Sequence, residues 1–164
     1  MTRRLYPARL TGRVTAPPSK SAWHRALICR FLAGQSLPEQ VSGDDVKHTL
    51  AGLRALQSGA PVVDCGDSGA TLRFLLPLAM ALGRRDMLFT GSPRLLERPL
   101  SAPYPVERTE RGYRAAAPLP PGRYALRGDE TSQTVSGLLM ALPLLDAPSQ
   151  LVLTTPLVSR PYVD

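Results

Sequence analysis

A chain of 164 residues, 43 % of them hydrophobic, is long enough for one core and composed like a globular domain, which sets disorder aside. Its longest apolar run, residues 74–82, is too short to span a bilayer, and no apolar stretch of signal-peptide length follows Met1-Thr2-Arg3-Arg4-Leu5, so no membrane and a cytoplasmic location are expected. The net charge of +7 rests on 18 Arg against 2 Lys; with only 5 % aromatic residues and dispersed cations, it points to small anionic ligands rather than nucleic acid.

In chain order, the first element is Ser19-Lys20-Ser21, a polar loop leading into an apolar helix over residues 22–32. Val41-Ser42-Gly43-Asp44 reads as a short strand end entering a polar loop. A second helix follows over residues 45–56, with Val46, Leu50, Leu53 and Leu56 at helical spacing. Val62-Val63-Asp64-Cys65 is a strand candidate, and Asp67-Ser68-Gly69 opens the next apolar helix, residues 70–82. Leu88-Phe89-Thr90-Gly91 is again a strand end. After Arg98-Pro99-Leu100, Pro103 and Pro105 block a further helix. Gly112-Tyr113-Arg114 and Arg123-Tyr124-Ala125-Leu126 flank Pro118-Leu119-Pro120-Pro121-Gly122, a hairpin pattern. Thr131-Ser132-Gln133 opens a last helix, residues 134–145, before the strand end Val152-Leu153-Thr154-Thr155.

Loop, helix and strand end thus recur three times, and in each case a Ser suited to N-capping stands before the helix. Ser68 and Ser132 are separated by the same offset as Thr90 and Thr154, and the offsets Ser21 to Ser68 and Ser42 to Thr90 differ by one residue. Alternating strands and helices predict an α/β arrangement. The chain reads as two units and the opening of a third, which breaks off at Tyr162-Val163-Asp164 as though truncated.

The loops carry the chemistry. Ser21 and Arg25 lie four apart and share a helical face, with Lys20 as a point charge at the mouth; a capped helix start already favours an anion there. The same residues also describe an ordinary capped helix with solvated bases. A Walker phosphate loop is excluded, because its glycines are missing upstream of Lys20. Gly66-Asp67-Ser68-Gly69 lets backbone approach a ligand, and Arg73 follows one turn later; Asp67 is expected to cap or organise the loop. Arg94 and Arg98 are again four apart, with Glu97 able to hold one of them. Thr131, Ser132 and Gln133 offer hydroxyl and amide groups, and Ser159-Arg160-Pro161-Tyr162 repeats that mixture. Cys29 and Cys65 are expected as buried free thiols. His24 and His48 have no partner at ligand spacing, so no metal is expected.

Taken in order, Ala16-Pro17-Pro18-Ser19-Lys20-Ser21 with Arg25, Cys65-Gly66-Asp67-Ser68-Gly69-Ala70-Thr71-Leu72-Arg73, Thr90-Gly91-Ser92-Pro93-Arg94-Leu95-Leu96-Glu97-Arg98-Pro99, Ser132-Gln133 and Leu157-Val158-Ser159-Arg160-Pro161-Tyr162-Val163-Asp164 resemble the 5-enolpyruvylshikimate-3-phosphate synthase family. The resemblance implies βαβαββ repeat units of the enolpyruvyl transferase fold, two domains closing on substrates, and no cofactor. It implies transfer of the enolpyruvyl group of phosphoenolpyruvate to the 5-hydroxyl of shikimate 3-phosphate, in the shikimate pathway of aromatic amino-acid biosynthesis. By the same token Lys20 would be the catalytic position and contact both substrates. Ser21, Arg25, Thr131, Ser132, Gln133, Ser159 and Tyr162 would hold shikimate 3-phosphate, and Gly69, Arg73, Arg94 and Gln133 would line the phosphoenolpyruvate pocket.

Residues 15–164 would then be most of the N-terminal substrate-binding domain, and residues 1–14 a strand that pairs with the other domain. The C-terminal half, with its acid–base carboxylate, would be absent, leaving the isolated chain with little or no activity. Many family members carry Asn at the position of Asp67 and Thr at that of Ala70. Residues 57–61 and 101–111 look shorter than the family's stretches, lacking a hairpin and much of a helix. Two alternatives remain open: a non-catalytic anion-binding module, and UDP-N-acetylglucosamine enolpyruvyl transferase, from which the Pro-Ser-Lys-Ser and Ser-Arg-Pro-Tyr motifs point away.

Overall fold

The structure, a computed structural model, describes residues 3–4, 6–9 and 11–163. Helix α1 (Lys20–Leu32) begins where Ser19 accepts a hydrogen bond on its hydroxyl from the Ala22 amide. Helix α2 (Asp44–Ser58) has no side-chain cap. It starts after Gly43 at φ 85°, carries Asp44 and Asp45 in its positive first turn, and stops at left-handed Gly59. Helix α3 (Gly69–Ala81) is capped by Ser68, and α4 (Pro93–Leu96) is one turn capped by Ser92. Helix α5 (Ser132–Ala141) is capped by Thr131, not by the expected serine; Ser132 is its first residue. It ends before the expected boundary, because Pro143 draws the chain into a 3₁₀ turn over Leu142–Leu144.

The strands form two sheets. β1 (Val62–Asp64) runs parallel to β2 (Met87–Thr90), which pairs antiparallel with β4 (Gly112–Ala115), and β4 with β3 (Glu107–Thr109). The order is β1-β2-β4-β3. β5 (Arg123–Leu126) and β6 (Gln150–Leu153) make a separate parallel pair. Each parallel pair is bridged by a helix, α3 for the first and α5 for the second.

Two expectations fail here. No strand forms at Val41-Ser42-Gly43-Asp44, since no neighbouring strand is there to pair with it and Gly43 lies at positive φ. Nor do β4 and β5 form a hairpin. The proline-rich stretch between them crosses from one sheet to the other and is pinned on α3, where the Leu119 amide donates to the Met80 carbonyl at 3.2 Å. The hairpin that does form is β3–β4. Its Gly112 has φ 146°, and a Cβ there would lie 2.1 Å from the Phe89 carbonyl oxygen. The expected strand within residues 1–14 falls partly on Met1, Thr2, Leu5 and Leu10, which lie outside the described residues; the described residues before Lys20 are exposed and form no strand.

Helix α3 is the axis of the core. Its residues 70–72 and 74–80 are buried, as expected of a helix apolar on every face. It is flanked by α2, which contributes Leu53 and Leu56, and by α5, which contributes Leu138. Val63 and Phe89 cover the same core from the sheet. Side chains of this size add about 2 kcal/mol each when fully buried. Cys65 is buried as expected, but Cys29 is exposed on the outer face of α1, since Leu27 and Ile28 take the inward positions. Both thiols are free. Among the described residues no helix is long and apolar enough to cross a membrane.

Candidate anion-binding cleft

The first turns of α1, α2, α3 and α5 converge on one cleft of about 160 Å³. Helix α1 supplies Lys20, Ser21, His24 and Arg25, and α2 supplies Asp45. Helix α3 supplies Gly69, Ala70, Arg73 and Phe74, while Gln133 comes from α5 and Asp67 and Arg98 from loops. First-turn residues of four helices thus line one space, each helix start carrying a partial positive charge, and four cationic side chains surround it against two carboxylates. A larger hollow of about 440 Å³ elsewhere is walled by Leu139, Leu142 and Pro148, with Asp146 as its charged side chain. Volume alone therefore does not locate an anion site.

The cations are held in different ways. Lys20 is exposed, and its Nζ meets Asp45 Oδ2 at 2.7 Å. In α1, Arg25 points across to the C-terminal segment. Its Nε donates to the Tyr162 carbonyl at 2.8 Å, Nη1 to the Ser21 carbonyl at 2.9 Å, and Nη2 to Ser136 Oγ at 2.8 Å. Its guanidinium also lies over the rings of Phe74 and Tyr162, at 5.0 and 5.2 Å from their centroids. Arg73 folds back over Gly69, donating to the Gly69 and Pro99 carbonyls. A Cβ on residue 69 would sit 2.5 Å from Arg73 Nη1, so the glycine leaves room for the guanidinium. Burial lowers the pKa of both arginines, which remain charged at neutral pH.

Behind the cleft runs a buried polar chain. His24 Nδ1 lies 2.7 Å from Thr49 Oγ1, which lies 2.6 Å from Thr71 Oγ1, which donates to Ser68 Oγ at 2.8 Å. Burial, helped by the nearby Lys20 and Arg25 charges and opposed by Asp45, pushes the His24 pKa down to about 4. The imidazole is therefore neutral at physiological pH. Burial, with Asp64 adding to it, pushes the Cys65 thiol far above the range in which it would be a nucleophile. Among the described residues no group of His, Cys, Asp and Glu is arranged to hold a metal ion.

Of the residues singled out in the sequence, Lys20, Ser21, Arg25, Gly69, Arg73 and Gln133 line this cleft together. Tyr162 joins it through Arg25, and Ser159 lies one turn before it, its carbonyl accepting from the Tyr162 amide. Thr131 caps α5 and lines a neighbouring hollow with Arg127 and Thr134; Ser132 follows it. Arg94 is exposed and does not line the cleft, whereas Arg98 does. Among the described residues neither arginine pairs with Glu97. Asp67 accepts a short hydrogen bond from Ser92 Oγ, tying the α3 loop to the α4 loop. Asp45 and His24 were not anticipated. The spacing that selects Ser21 with Arg25 also puts His24 one turn from Lys20, and that was the available sign.

Residues 57–164 match the family described as EPSP synthase (3-phosphoshikimate 1-carboxyvinyltransferase). The chain belongs to this family. A 3-phosphoshikimate 1-carboxyvinyltransferase of Clostridium kluyveri is 38 % identical over 96 % of this chain and 44 % of its own length. One from Clostridium perfringens is 34 % identical over 96 % and 45 %, and one from Clostridium novyi 29 % identical over 98 % and 46 %. The chain spans about half the length of the curated relatives it matches. The Clostridium kluyveri alignment runs over 189 positions, more than the 164 residues present here, so that EPSP synthase relative carries segments this chain lacks. The family match begins after Lys20, Ser21 and Arg25, but coverage of 96 % takes in the α1 segment as well.

Proposed function

We propose that this chain is the shikimate 3-phosphate-holding part of an enolpyruvyl transferase of the shikimate pathway. The reaction moves the enolpyruvyl group of phosphoenolpyruvate to the 5-hydroxyl of shikimate 3-phosphate, and phosphate is released. The observation that carries the reading is the convergence of four helix N-termini with Lys20, Arg25, Arg73 and Arg98 on one cleft. Two polyanions held side by side need fixed cations between and around them, because each would otherwise repel the other. Lys20 sits at the mouth, where it reaches both ligands once Asp45 releases it. Ser21 and Arg25, with Thr131, Ser132, Gln133, Ser159 and Tyr162, hold the shikimate ester. Gly69, Arg73, Gln133 and Arg94 serve phosphoenolpyruvate, with Arg94 closing on it only when a further part of the protein packs there.

In this reading β1-α3-β2 and β5-α5-β6 belong to successive βαβαββ units, residues 57–61 and 101–111 are shortened stretches, and residues 1–14 pair with a second domain. That second domain supplies the acid–base carboxylate. The 164 residues alone then bind without appreciable turnover, which is also what a non-catalytic anion-binding module would do. Titration calorimetry separates the readings. Shikimate 3-phosphate is expected to bind, and phosphoenolpyruvate to bind more weakly. Heat from UDP-N-acetylglucosamine with none from shikimate 3-phosphate would overturn the proposal, and rapid turnover by the chain alone would overturn the division of labour.

A further inference from the structure

Ser136 stands inside helix α5 and is 4 % exposed. A serine within a helix ordinarily faces solvent or bonds back to the carbonyl one turn before. This one reaches across to two other parts of the chain. Its Oγ accepts from Arg25 Nη2 at 2.8 Å and gives its hydrogen to the Tyr162 carbonyl at 3.4 Å. Chemistry fixes the direction of both bonds, since a guanidinium can only donate and a carbonyl can only accept. The Tyr162 carbonyl also accepts from Arg25 Nε at 2.8 Å, so the three groups close a ring that joins α1, α5 and the segment 159–162. That segment is a short 3₁₀ turn entered through Ser159 at φ 54°, a conformation uncommon for any residue but glycine. Arg25 gives a third N–H to the Ser21 carbonyl; a guanidinium has five, so two remain uncommitted beside the cleft that Arg25 lines.

We propose that Ser136 is a positioning residue of the cleft: by holding Arg25 against the Tyr162 carbonyl it orients the guanidinium for an anion, and it makes anion binding and the docking of residues 159–162 depend on each other. Ser136 does not line the cleft, so it acts through Arg25 and not on the ligand. Without its hydroxyl, Arg25 keeps the bond from Nε but loses the one from Nη2, and the entropy of fixing the guanidinium then falls on ligand binding. The coupling is reciprocal: what the anion gains from a docked segment, the segment gains from the anion. The identity of the anion rests on the function proposed above, in which Ser159 and Tyr162 hold the same ester as Arg25. The coupling itself does not rest on it.

Ser136→Ala in the full chain is the test, since alanine removes the hydroxyl and favours the helix. Calorimetry is expected to show shikimate 3-phosphate and inorganic phosphate each binding about fivefold more weakly. In an Arg25→Lys background, where the planar fork is gone and the charge is kept, the same substitution should cost little. Proton–nitrogen NMR adds a readout that packing alone would not move. Ser136→Ala should speed solvent exchange at the Arg25 Nε–H and at the Tyr162 and Val163 amides, which donate to the Ser159 and Arg160 carbonyls. In the unaltered chain, saturating shikimate 3-phosphate should slow all three together. Unchanged affinity in Ser136→Ala, an equal loss in both backgrounds, or weaker binding with exchange at the Arg25 Nε–H unaltered would each overturn the inference. If shikimate 3-phosphate fails to bind while inorganic phosphate is still weakened by Ser136→Ala, the proposed function falls and the coupling stands; binding of neither anion overturns both.

Discussion

Helix α3 is gripped from two sides, and the two seams are built differently. Against α5 the contact is backbone to backbone: a Cβ on Gly137 would lie 2.3 Å from the Arg73 carbonyl oxygen. Pro77, four residues further on, has no N–H to claim that carbonyl, so the intrahelical bond that would ordinarily end there is missing. Against α2 the contact is with side chains: a Cβ on Gly52 would lie 2.4 Å from Leu75 Cδ1 and 3.0 Å from Val63 Cγ1. The end of that seam nearest the cleft is closed by the Thr49 and Thr71 hydroxyls. Side chains can turn aside and a carbonyl in a helix cannot. The α5 seam therefore fixes the helix spacing, and with it the placement of Arg73, while the α2 seam adjusts and carries the polar chain to His24.

Gly137→Ala is the sharpest way to break this contrast. It is expected to cost about 3 kcal/mol in chemical denaturation, against about 1 kcal/mol for Gly52→Ala, where Leu75 can rotate. Equal costs would mean that both seams yield alike. The next effect belongs to the polar chain and depends on pH. The folded-state pKa of His24, about 4, lies below its ordinary 6.5, so the native state prefers the neutral ring. Its contribution is complete above pH 6.5 and is lost as pH falls from there towards 4, on the order of 3 kcal/mol in all. His24→Asn should flatten that part of the stability profile. A profile that stays equally steep would place the acid sensitivity elsewhere.

A smaller effect is expected from Thr71→Val, which keeps the shape but takes the hydrogen-bond partner from Thr49 and the donor from Ser68. About 1–2 kcal/mol should be lost on thermal unfolding, and no loss would show that the α2 seam is held by packing alone. The smallest change in stability, under about 1 kcal/mol, is expected for Asp45→Asn, since its partner Lys20 is exposed. Its interest lies in binding: with Lys20 released, inorganic phosphate should bind a few-fold more tightly by calorimetry. Weaker binding would mean that Asp45 positions Lys20 rather than restraining it.

The sequence announced what is decided locally. Ser19 and Ser68 marked their helix starts because a cap is a contact between residues a few positions apart. The apolar spacing of Val46, Leu50, Leu53 and Leu56 marked α2 for the same reason. Pairing partners were less readable. Pro118 to Gly122 has the residues of a turn, but whether a turn closes a hairpin depends on the strands it meets, and here β5 finds β6 instead of β4. Ser42-Gly43 has extended character without a neighbour to make it a strand.

The cleft divides in the same way. Lys20, Ser21, Gly69 and Arg73 were readable from helix starts and one-turn spacing. The partners of Arg25 were not, since Ser136 and Tyr162 reach it from the far end of the chain. Nor was the burial of His24, which depends on Phe74 and Thr49 arriving from two other helices.

The convergence of four helix N-termini bears on how such a site can change over time. Each terminus contributes roughly half a positive charge made of peptide groups. Those groups have no pKa in the accessible range and no codon of their own, so neither acid nor a point substitution removes them. A pocket charged by side chains alone would be erased one arginine at a time. In the proposed site the attraction for anions would belong to the fold, and the arginines would be left to vary which anion is preferred.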